Sequence, residues 1–319
     1  MRDAIRCLPL IVALASTGCV SLRQTDDQVA VRPPGARTIA FLAPVQPHAK
    51  RHLDYARLSF VAYETTDGGV AAEAKANAKP VNRAGCPDPE ISLKADGWIR
   101  WDNFPPKETL DKVEASHLRV EVWQKDRPFQ VVVTFGGTVF DNRNDWLANF
   151  RWFIPFHDDQ YTQVVKTLLP AFVSEFKRRM GNFDSVDKTP VLITTGHSLG
   201  GGLAQQFAYA LPLNQGVPKV SVVYAFHPSP VTGYFSVASE TRDENTKGLV
   251  IERIYERHEI LALLRSLQSV IVKPSDTSPE MTGYRYSVVH SRGAIGNHSL
   301  GTFTCNLSRK VTNVEEKLR

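Results

Sequence analysis

The run from Val191 to Ala204 constrains the fold of this 319-residue chain more than any other stretch. A β-branched, apolar segment leads into Gly196-His197-Ser198-Leu199-Gly200, and small residues at helical spacing follow. A strand, a sharp turn and a helix in this order are the context that a G-x-S-x-G nucleophile elbow requires. Gly196 and Gly200 let the strand and the helix pass close together, so that Ser198 projects at the tip of the turn. The pattern predicts a nucleophilic serine; a glycine-rich connecting turn is the alternative.

The residue after the serine has its own predicted role. Leu199 opens the predicted helix, and unpaired N–H groups at a helix N-terminus favour a developing negative charge. We therefore expect the Leu199 amide to serve as an oxyanion donor.

The wider stretch Thr195–Gly201, with Leu203 and Ala204, resembles the elbow of the class 3 lipases, which are α/β-hydrolases typified by fungal triacylglycerol lipases. The resemblance implies an α/β fold with a mostly parallel central sheet flanked by helices. We expect no cofactor, because the cysteines and histidines have no zinc-ligand spacing and no Gly-rich Walker-type loop occurs. Apolar runs at 129–135 and 220–226 read as buried strands. A long crossover helix is predicted over 161–180, with a kink or break at Pro170.

A second match to this family follows the strand at 129–135. That strand ends in Gly136-Gly137-Thr138, and Asp145-Trp146-Leu147 comes next. In class 3 lipases the Thr or Ser of this turn lends its amide to the oxyanion hole, so the resemblance assigns that role to Thr138. The alternative is a strand-end turn with no function.

The segment 150–156 (FRWFIPF) consists mostly of bulky apolar residues and has a proline at its second-last position. A lid over an acyl pocket has this composition, and the candidates are Trp152, Phe153 and Phe156. A surface loop tucked against the core fits the composition equally well.

The family places its triad acid directly after the strand predicted at 249–255, where this chain has Glu259. Glutamate in place of the usual aspartate is an accepted acid in this fold. Glu256, Asp243 and Asp276 compete for the role, and Glu259 could instead cap a following helix.

The family's triad histidine lies after the last strand, often as His-Ser before the closing helix. His298 matches this position better than His290 does. The resulting chain order of Ser198, Glu259 and His298 is the nucleophile–acid–base order of α/β-hydrolases.

The N-terminus has the features of an export signal. Arg2 and Arg6 precede a short apolar segment and Ser16-Thr17-Gly18-Cys19, which resembles a bacterial lipoprotein signal. We expect residues 1–18 to be removed and Cys19 to be lipidated, and Val20 after it favours the outer membrane, on either face. An ordinary cleaved signal is the alternative.

The remaining chain divides into a predicted tether over 19–50, where no amphipathic period is seen, and one hydrolase domain over 51–319. The domain opens with a predicted helix from His52 to Tyr63. Cys86 and Cys305 are an even pair in an exported chain, so a disulfide between them and two separate thiols are both open.

Composition and spacing exclude several function classes. The net charge of +5 is spread along the chain with no basic run interleaved with aromatic residues, which argues against nucleic acid as a partner. No zinc-ligand spacing and no Walker-type loop occur. We therefore expect a membrane-anchored serine hydrolase acting on carboxylic esters, most plausibly of lipids. A small-ester carboxylesterase, a thioesterase and a non-catalytic lipoprotein with a hydrolase scaffold are the alternatives.

Overall fold

The computed structural model describes residues 27–64, 86–113, 116–137, 160–181, 189–259, 261, 275–289 and 293–318. Within them one sheet runs through the domain in the order β2-β1-β9-β8-β7-β6-β5-β4-β3. Its strands are β1 (Gln28–Arg32), β2 (Ile39–Leu42), β3 (Ile99–Arg100), β4 (Val120–Asp126), β5 (Phe129–Phe135), β6 (Val191–His197), β7 (Val220–Phe226), β8 (Val250–Glu256) and β9 (Glu280–Tyr286).

The α-helices are α1 (Gln46–Glu64), α2 (Pro89–Ala95), α3 (Lys107–Val113), α4 (Gln160–Gln163), α5 (Leu169–Met180), α6 (Leu199–Ala210), α7 (Ser239–Thr246), α8 (Gly293–Gly296) and α9 (Leu300–Leu318). Among the described residues, no helix is both long and apolar enough to cross a bilayer.

The centre of the sheet is parallel. Strands β5 to β9 pair in parallel, whereas β3, β4, β1 and β2 add antiparallel pairs at the two ends. Because parallel strands end at the same edge of a sheet, the carboxyl ends of β5 to β9 lie together there. The predicted α/β-hydrolase architecture is confirmed, and this edge carries the predicted site.

Two apolar layers cover the two faces of the sheet. Along β5, Val131 and Val133 face one layer and Val132 faces the other, as the period of two in a strand requires. The first layer contains Phe172 of α5 and Phe207 of α6, and the second is formed by α1 and α9. The continuous apolar strands of the sequence are explained by burial on both faces.

The crossover helix is interrupted where the sequence predicts it. A π-helical turn, Val164–Leu168, separates α4 from α5, and Pro170 lies in the first turn of α5. Proline has no N–H to donate, so it fits the start of a helix better than its interior. Helix α5 then ends at Gly181, whose φ is +66°.

The predicted tether over 19–50 is wrong for the segment from Gln28 to Leu42. This segment forms β1 and β2, and β1 pairs with β9, whose residues follow some 250 positions later in the chain. Val29 is buried opposite Tyr284, so the apolar alternation of β1 is satisfied by a distant strand. The prediction is also wrong for 46–50, which belong to α1 and include the buried Ala49, and Asp27 pairs with Lys310. The tether remains a prediction for 19–26.

A covalent link joins the segment before α2 to the C-terminal helix. Cys86 and Cys305 form a disulfide with Cα atoms 5.5 Å apart. Cys305 is buried on α9, which packs against α1.

Candidate active site

Ser198 lies at the tip of a strained turn between β6 and α6. Its φ and ψ are 56° and −121°, which is a conformation that a non-glycine residue rarely adopts. Three backbone hydrogen bonds hold it: its N–H donates to the Phe226 carbonyl (2.9 Å), and its carbonyl accepts from Gly201 (3.1 Å) and Ser229 (2.9 Å). The backbone of Phe226 at the end of β7 and the residues after it therefore fix the half-buried serine at the tip of the turn, where the elbow motif predicts it.

The elbow glycines are needed for close backbone approach. A Cβ on Gly196 would overlap the Gly200 carbonyl, and a Cβ on Gly200 would overlap the carbonyl of Phe135. Leu199 is the first residue of α6, so its N–H is one of the donors that the helix leaves unused. The predicted oxyanion donor thus lies beside Ser198.

His298 and Glu259 meet at the carboxyl edge of the sheet. The Nδ1 atom of His298 lies 3.0 Å from Oε2 of Glu259, and both residues are buried. The same oxygen accepts the N–H of Leu261 at 2.9 Å. Since a carboxylate only accepts hydrogen bonds, Nδ1 of His298 carries the proton and Nε2 is the basic nitrogen of the neutral ring.

The competing acids are placed elsewhere. Glu256 accepts the N–H of Val288 at 2.9 Å, and burial raises its pKa to about 7. Asp243 pairs with Arg242, and Asp276 lies against Gly35 in the β1–β2 turn. Glu259 contacts His298, whereas Glu256, Asp243 and Asp276 have the partners just described, and His290 lies outside the described residues.

Two further histidines surround His298, with ring centroids 4.8 Å away for His197 and 5.3 Å for His227. Nε2 of His227 accepts the N–H of Glu256 at 3.0 Å, so this histidine holds the end of β8. The backbone of His227 has a φ of 42°.

His197 links the elbow to the loop that carries His298. Its Nε2 donates to the His298 carbonyl at 2.9 Å, and its Nδ1 accepts the Tyr63 hydroxyl proton at 2.7 Å. Burial and the neighbouring His298 lower the pKa of His197 well below its usual range, so its ring is neutral. The sequence motif contains His197 but gives no sign of Tyr63, which is 134 positions away.

The Tyr63 hydroxyl also lies against the backbone of Gly137, where β5 ends. Four predicted positions beyond it, Thr138, Trp152, Phe153 and Phe156, lie outside the described residues, as does Cys19. In the described ranges no group of three His, Cys, Asp or Glu side chains is placed to hold a metal ion.

Three comparisons show which known proteins this chain is similar to. The family model of the Tle-like phospholipase domain matches residues 101–215. An extracellular phospholipase A1 of Serratia liquefaciens is 28% identical over 162 residues, which are 49% of this chain and 42% of that protein. The chain therefore spans less than half the length of this curated relative.

Among solved structures, the chain is similar to native Rhizomucor miehei lipase in its propeptide complex, at 15% identity and a TM-score of 0.42. That similarity covers 83% of this chain and 79% of the other. A lipase from Rhizopus microsporus var. chinensis is 17% identical, with 67% and 68% covered and a TM-score of 0.40.

The phospholipase match starts at Trp101 and extends past the end of α6, so it includes β4, β5, β6 and the whole elbow. An elbow of this geometry at the carboxyl edge of a parallel sheet is a hallmark of one fold. The chain has the fold of the α/β-hydrolases, and the segment that contains its elbow is similar to a phospholipase domain.

Proposed function

We propose that this protein hydrolyses the carboxylic esters of lipids, and of phospholipids in particular, with Ser198, His298 and Glu259 as its triad. The observation that carries the proposal is the His298–Glu259 contact of 3.0 Å at the sheet edge where the elbow presents Ser198. A serine, a histidine and an orienting acid at such an edge suit acyl transfer.

The chemistry follows from the proton positions. Ser198 Oγ attacks the ester carbonyl while Nε2 of His298 takes its proton, and the same nitrogen then protonates the leaving alcohol. Water repeats the sequence on the acyl-enzyme and releases the fatty acid. Glu259 keeps the proton on Nδ1 and balances the imidazolium charge.

Two backbone amides would stabilise the oxyanion in this proposal. Leu199 supplies one from the start of α6, and Thr138, directly after Gly137, supplies the other. Removal of one such donor typically costs about 3 kcal/mol of transition-state stabilisation.

The substrate class rests on the comparisons. The matched domain is named for phospholipases, and the Serratia relative is named an extracellular phospholipase A1. A phospholipid-cleaving enzyme needs access to a bilayer, which a lipid on Cys19 at the outer membrane would give. Trp152, Phe153 and Phe156 complete the proposal as a lid over the acyl pocket.

Reaction with a fluorophosphonate probe tests the proposal directly, because the probe needs an activated serine. Wild type and a Ser92→Ala control, changed on the remote helix α2, should be labelled and should release fatty acid from phospholipid vesicles. Ser198→Ala should lose labelling and lower kcat by about 10⁶-fold.

Equal labelling of Ser198→Ala would refute the assignment of the nucleophile. A series of p-nitrophenyl esters of increasing chain length separates a lipid esterase from a small-ester carboxylesterase. Turnover confined to the shortest esters would contradict the lipid substrate.

A further inference from the structure

Strand β2 is an edge strand with an apolar surface. Ile39, Phe41 and Leu42 expose 65%, 47% and 57% of their surface, and in the described residues β2 pairs only with β1. Ile39 and Phe41 share one face of the strand and Leu42 lies on the other, so both sides of its tip are apolar. We call these three residues the β2 edge.

Topology places the tip of the β2 edge at the same margin of the sheet as the active site. Strand β1 is antiparallel to β9, and its first residue, Gln28, lies opposite Arg285 near the carboxyl end of β9. Leu42 in turn lies opposite Gln28. The start of β1, the end of β2 and the loops that carry Ser198 and His298 therefore lie along one margin.

The chain length before β1 limits how far this margin can be from a membrane anchor. Nine residues lead from Cys19 to Gln28, and a fully extended chain spans at most about 30 Å over that number. A domain of this size has a radius of gyration of about 19 Å. If Cys19 is lipidated, this reach is shorter than the diameter of the domain. The margin of the sheet that holds the start of β1 therefore lies nearer to the bilayer than the opposite margin does.

We propose that the β2 edge is a bilayer-contact surface that seats the enzyme next to its own anchor and turns the active-site margin toward lipid. This inference rests on the proposed lipidation of Cys19. Apolar side chains that enter the boundary between head groups and acyl chains contribute binding free energy in proportion to the apolar area they bury, so those of the β2 edge would orient a domain that the lipid on Cys19 already anchors. Residues 1–18 contribute +1 of the net charge of +5, so the chain from Cys19 onward carries +4 (5 − 1), which favours a bilayer with anionic head groups over a neutral one.

Two site-specific labels measure the contact without any need for catalysis. Leu42→Cys and Ile99→Cys are each made in the lipidated full chain carrying Ser198→Ala, and the new thiol is labelled with an environment-sensitive nitrobenzoxadiazole dye. Ile99 is the matched control because it is 55% exposed on β3, at the other end of the sheet.

The protein is reconstituted into vesicles of phosphatidylethanolamine and phosphatidylglycerol. We expect the dye at position 42 to brighten about twofold or more and to resist quenching by iodide, while the dye at 99 stays as it is in detergent. Equal responses at both positions would overturn the proposal. A signal at 42 that rises with protein concentration in the absence of vesicles would overturn it too, because it would identify a second copy as the occupant.

Activity gives an independent readout. Changing Ile39, Phe41 and Leu42 together to Ser should lower turnover of vesicle phospholipid by about 10-fold and leave p-nitrophenyl butyrate hydrolysis unchanged. Ile91→Ser with Ile99→Ser, both exposed and remote from β2, should change neither.

The outcomes separate the two proposals. If wild type hydrolyses no ester, the proposed function fails, and the dye experiment still decides the contact surface. If wild type and the β2-edge variant hydrolyse vesicle lipid equally, the contact surface fails and the proposed function stands.

Discussion

Two buried histidine–glutamate pairs lie within the described part of the chain, and one of these two lies near the elbow. Nδ1 of His298 is 3.0 Å from Glu259, whereas Nε2 of His52 is 2.7 Å from Glu252. The pair remote from the elbow has the shorter contact. A close histidine–carboxylate pair is therefore not by itself a sign of a catalytic site.

The two pairs differ in what surrounds them. Nδ1 of His52 is bound by the Tyr286 hydroxyl at 2.7 Å, and Arg51 binds both oxygens of Glu252 at 2.8 and 2.9 Å. Burial lowers the pKa of His52; burial alone would raise that of Glu252, but His52 and Arg51 lower it. This pair forms a structural brace between α1, β8 and β9, away from the carboxyl edge.

The largest expected difference between the two pairs is in the effect of replacing their histidines. His298→Ala should lower kcat on p-nitrophenyl butyrate almost as much as Ser198→Ala, by about 10⁶-fold, with little further loss in the double variant. His52→Gln should leave kcat within a few-fold. It should lower the free energy of unfolding in urea by about 2 kcal/mol, because Glu252 loses a buried hydrogen-bond donor and keeps only Arg51 of the two. A large loss of kcat in His52→Gln with near-normal kcat in His298→Ala would show that the catalytic histidine is His52.

The next largest expected effect comes from replacing the buried carboxylates near His298. Glu259→Gln should lower kcat by about 10⁴-fold, because the amide no longer favours the proton on Nδ1 of His298. Glu256→Gln is the matched control, since Glu256 contacts the backbone of Val288. Steady-state kinetics of both variants check this. Loss of activity in Glu256→Gln with retention in Glu259→Gln would show that the acid is wrongly assigned.

The sequence predicted local features better than distant pairings. Strands β5 and β7 have the predicted bounds because both are apolar throughout, and a strand buried on both faces is recognisable from its own residues. The structure brings His298 and Glu259 together because β8 and β9 are parallel neighbours, so that the segments after their carboxyl ends meet at one edge of the sheet. Their catalytic roles remain predictions.

Other features depend on partners far along the chain. Strand β1 is flanked by Pro33-Pro34-Gly35, which suggests a tether, and it becomes a strand only because β9 lies beside it. His52 and Glu252 are 200 positions apart, and no periodicity connects them. Local pattern cannot reveal contacts that the sheet order creates.

Glu256 is a third buried carboxylate, and in the described part of the chain it contacts the backbone N–H of Val288 and not a charged side chain. Its pH dependence therefore shows the effect of burial on a carboxylate without such a partner. Burial raises the pKa of Glu256 from its usual 4.5 to about 7, so the native state binds a proton more tightly than the unfolded chain does. The stability it contributes is complete below about pH 4.5 and is lost as pH rises through about 7, in total about 3 kcal/mol. Urea unfolding at pH 5 and pH 8 should show this fall in wild type and a smaller one in Glu256→Gln. Parallel pH dependences would contradict the prediction.

The smallest expected effect concerns His197. In the described part of the structure, its ring nitrogens contact the His298 carbonyl and the Tyr63 hydroxyl, and neither contact is with a carboxylate. Its neutral ring donates from Nε2 to the His298 carbonyl and accepts from Tyr63 at Nδ1, so the Tyr63 hydroxyl fixes the ring that supports the proposed base. Tyr63→Phe keeps the packing and removes one buried hydrogen bond, which is worth about 1 kcal/mol. We expect kcat to fall by about 5- to 10-fold with KM unchanged.

Tyr55→Phe is the control for this change, because Tyr55 lies on the same helix α1 and its hydroxyl contacts Gln130, remote from the elbow. It should leave kcat as in wild type. Equal losses in the two variants would show that kcat falls because the packing of α1 is disturbed, and not because the Tyr63–His197 hydrogen bond is lost. A rise in KM at constant kcat would show that Tyr63 acts on substrate binding instead of on the position of His298. A fall in kcat alone would mean that the proposed base needs support from the elbow as well as from Glu259.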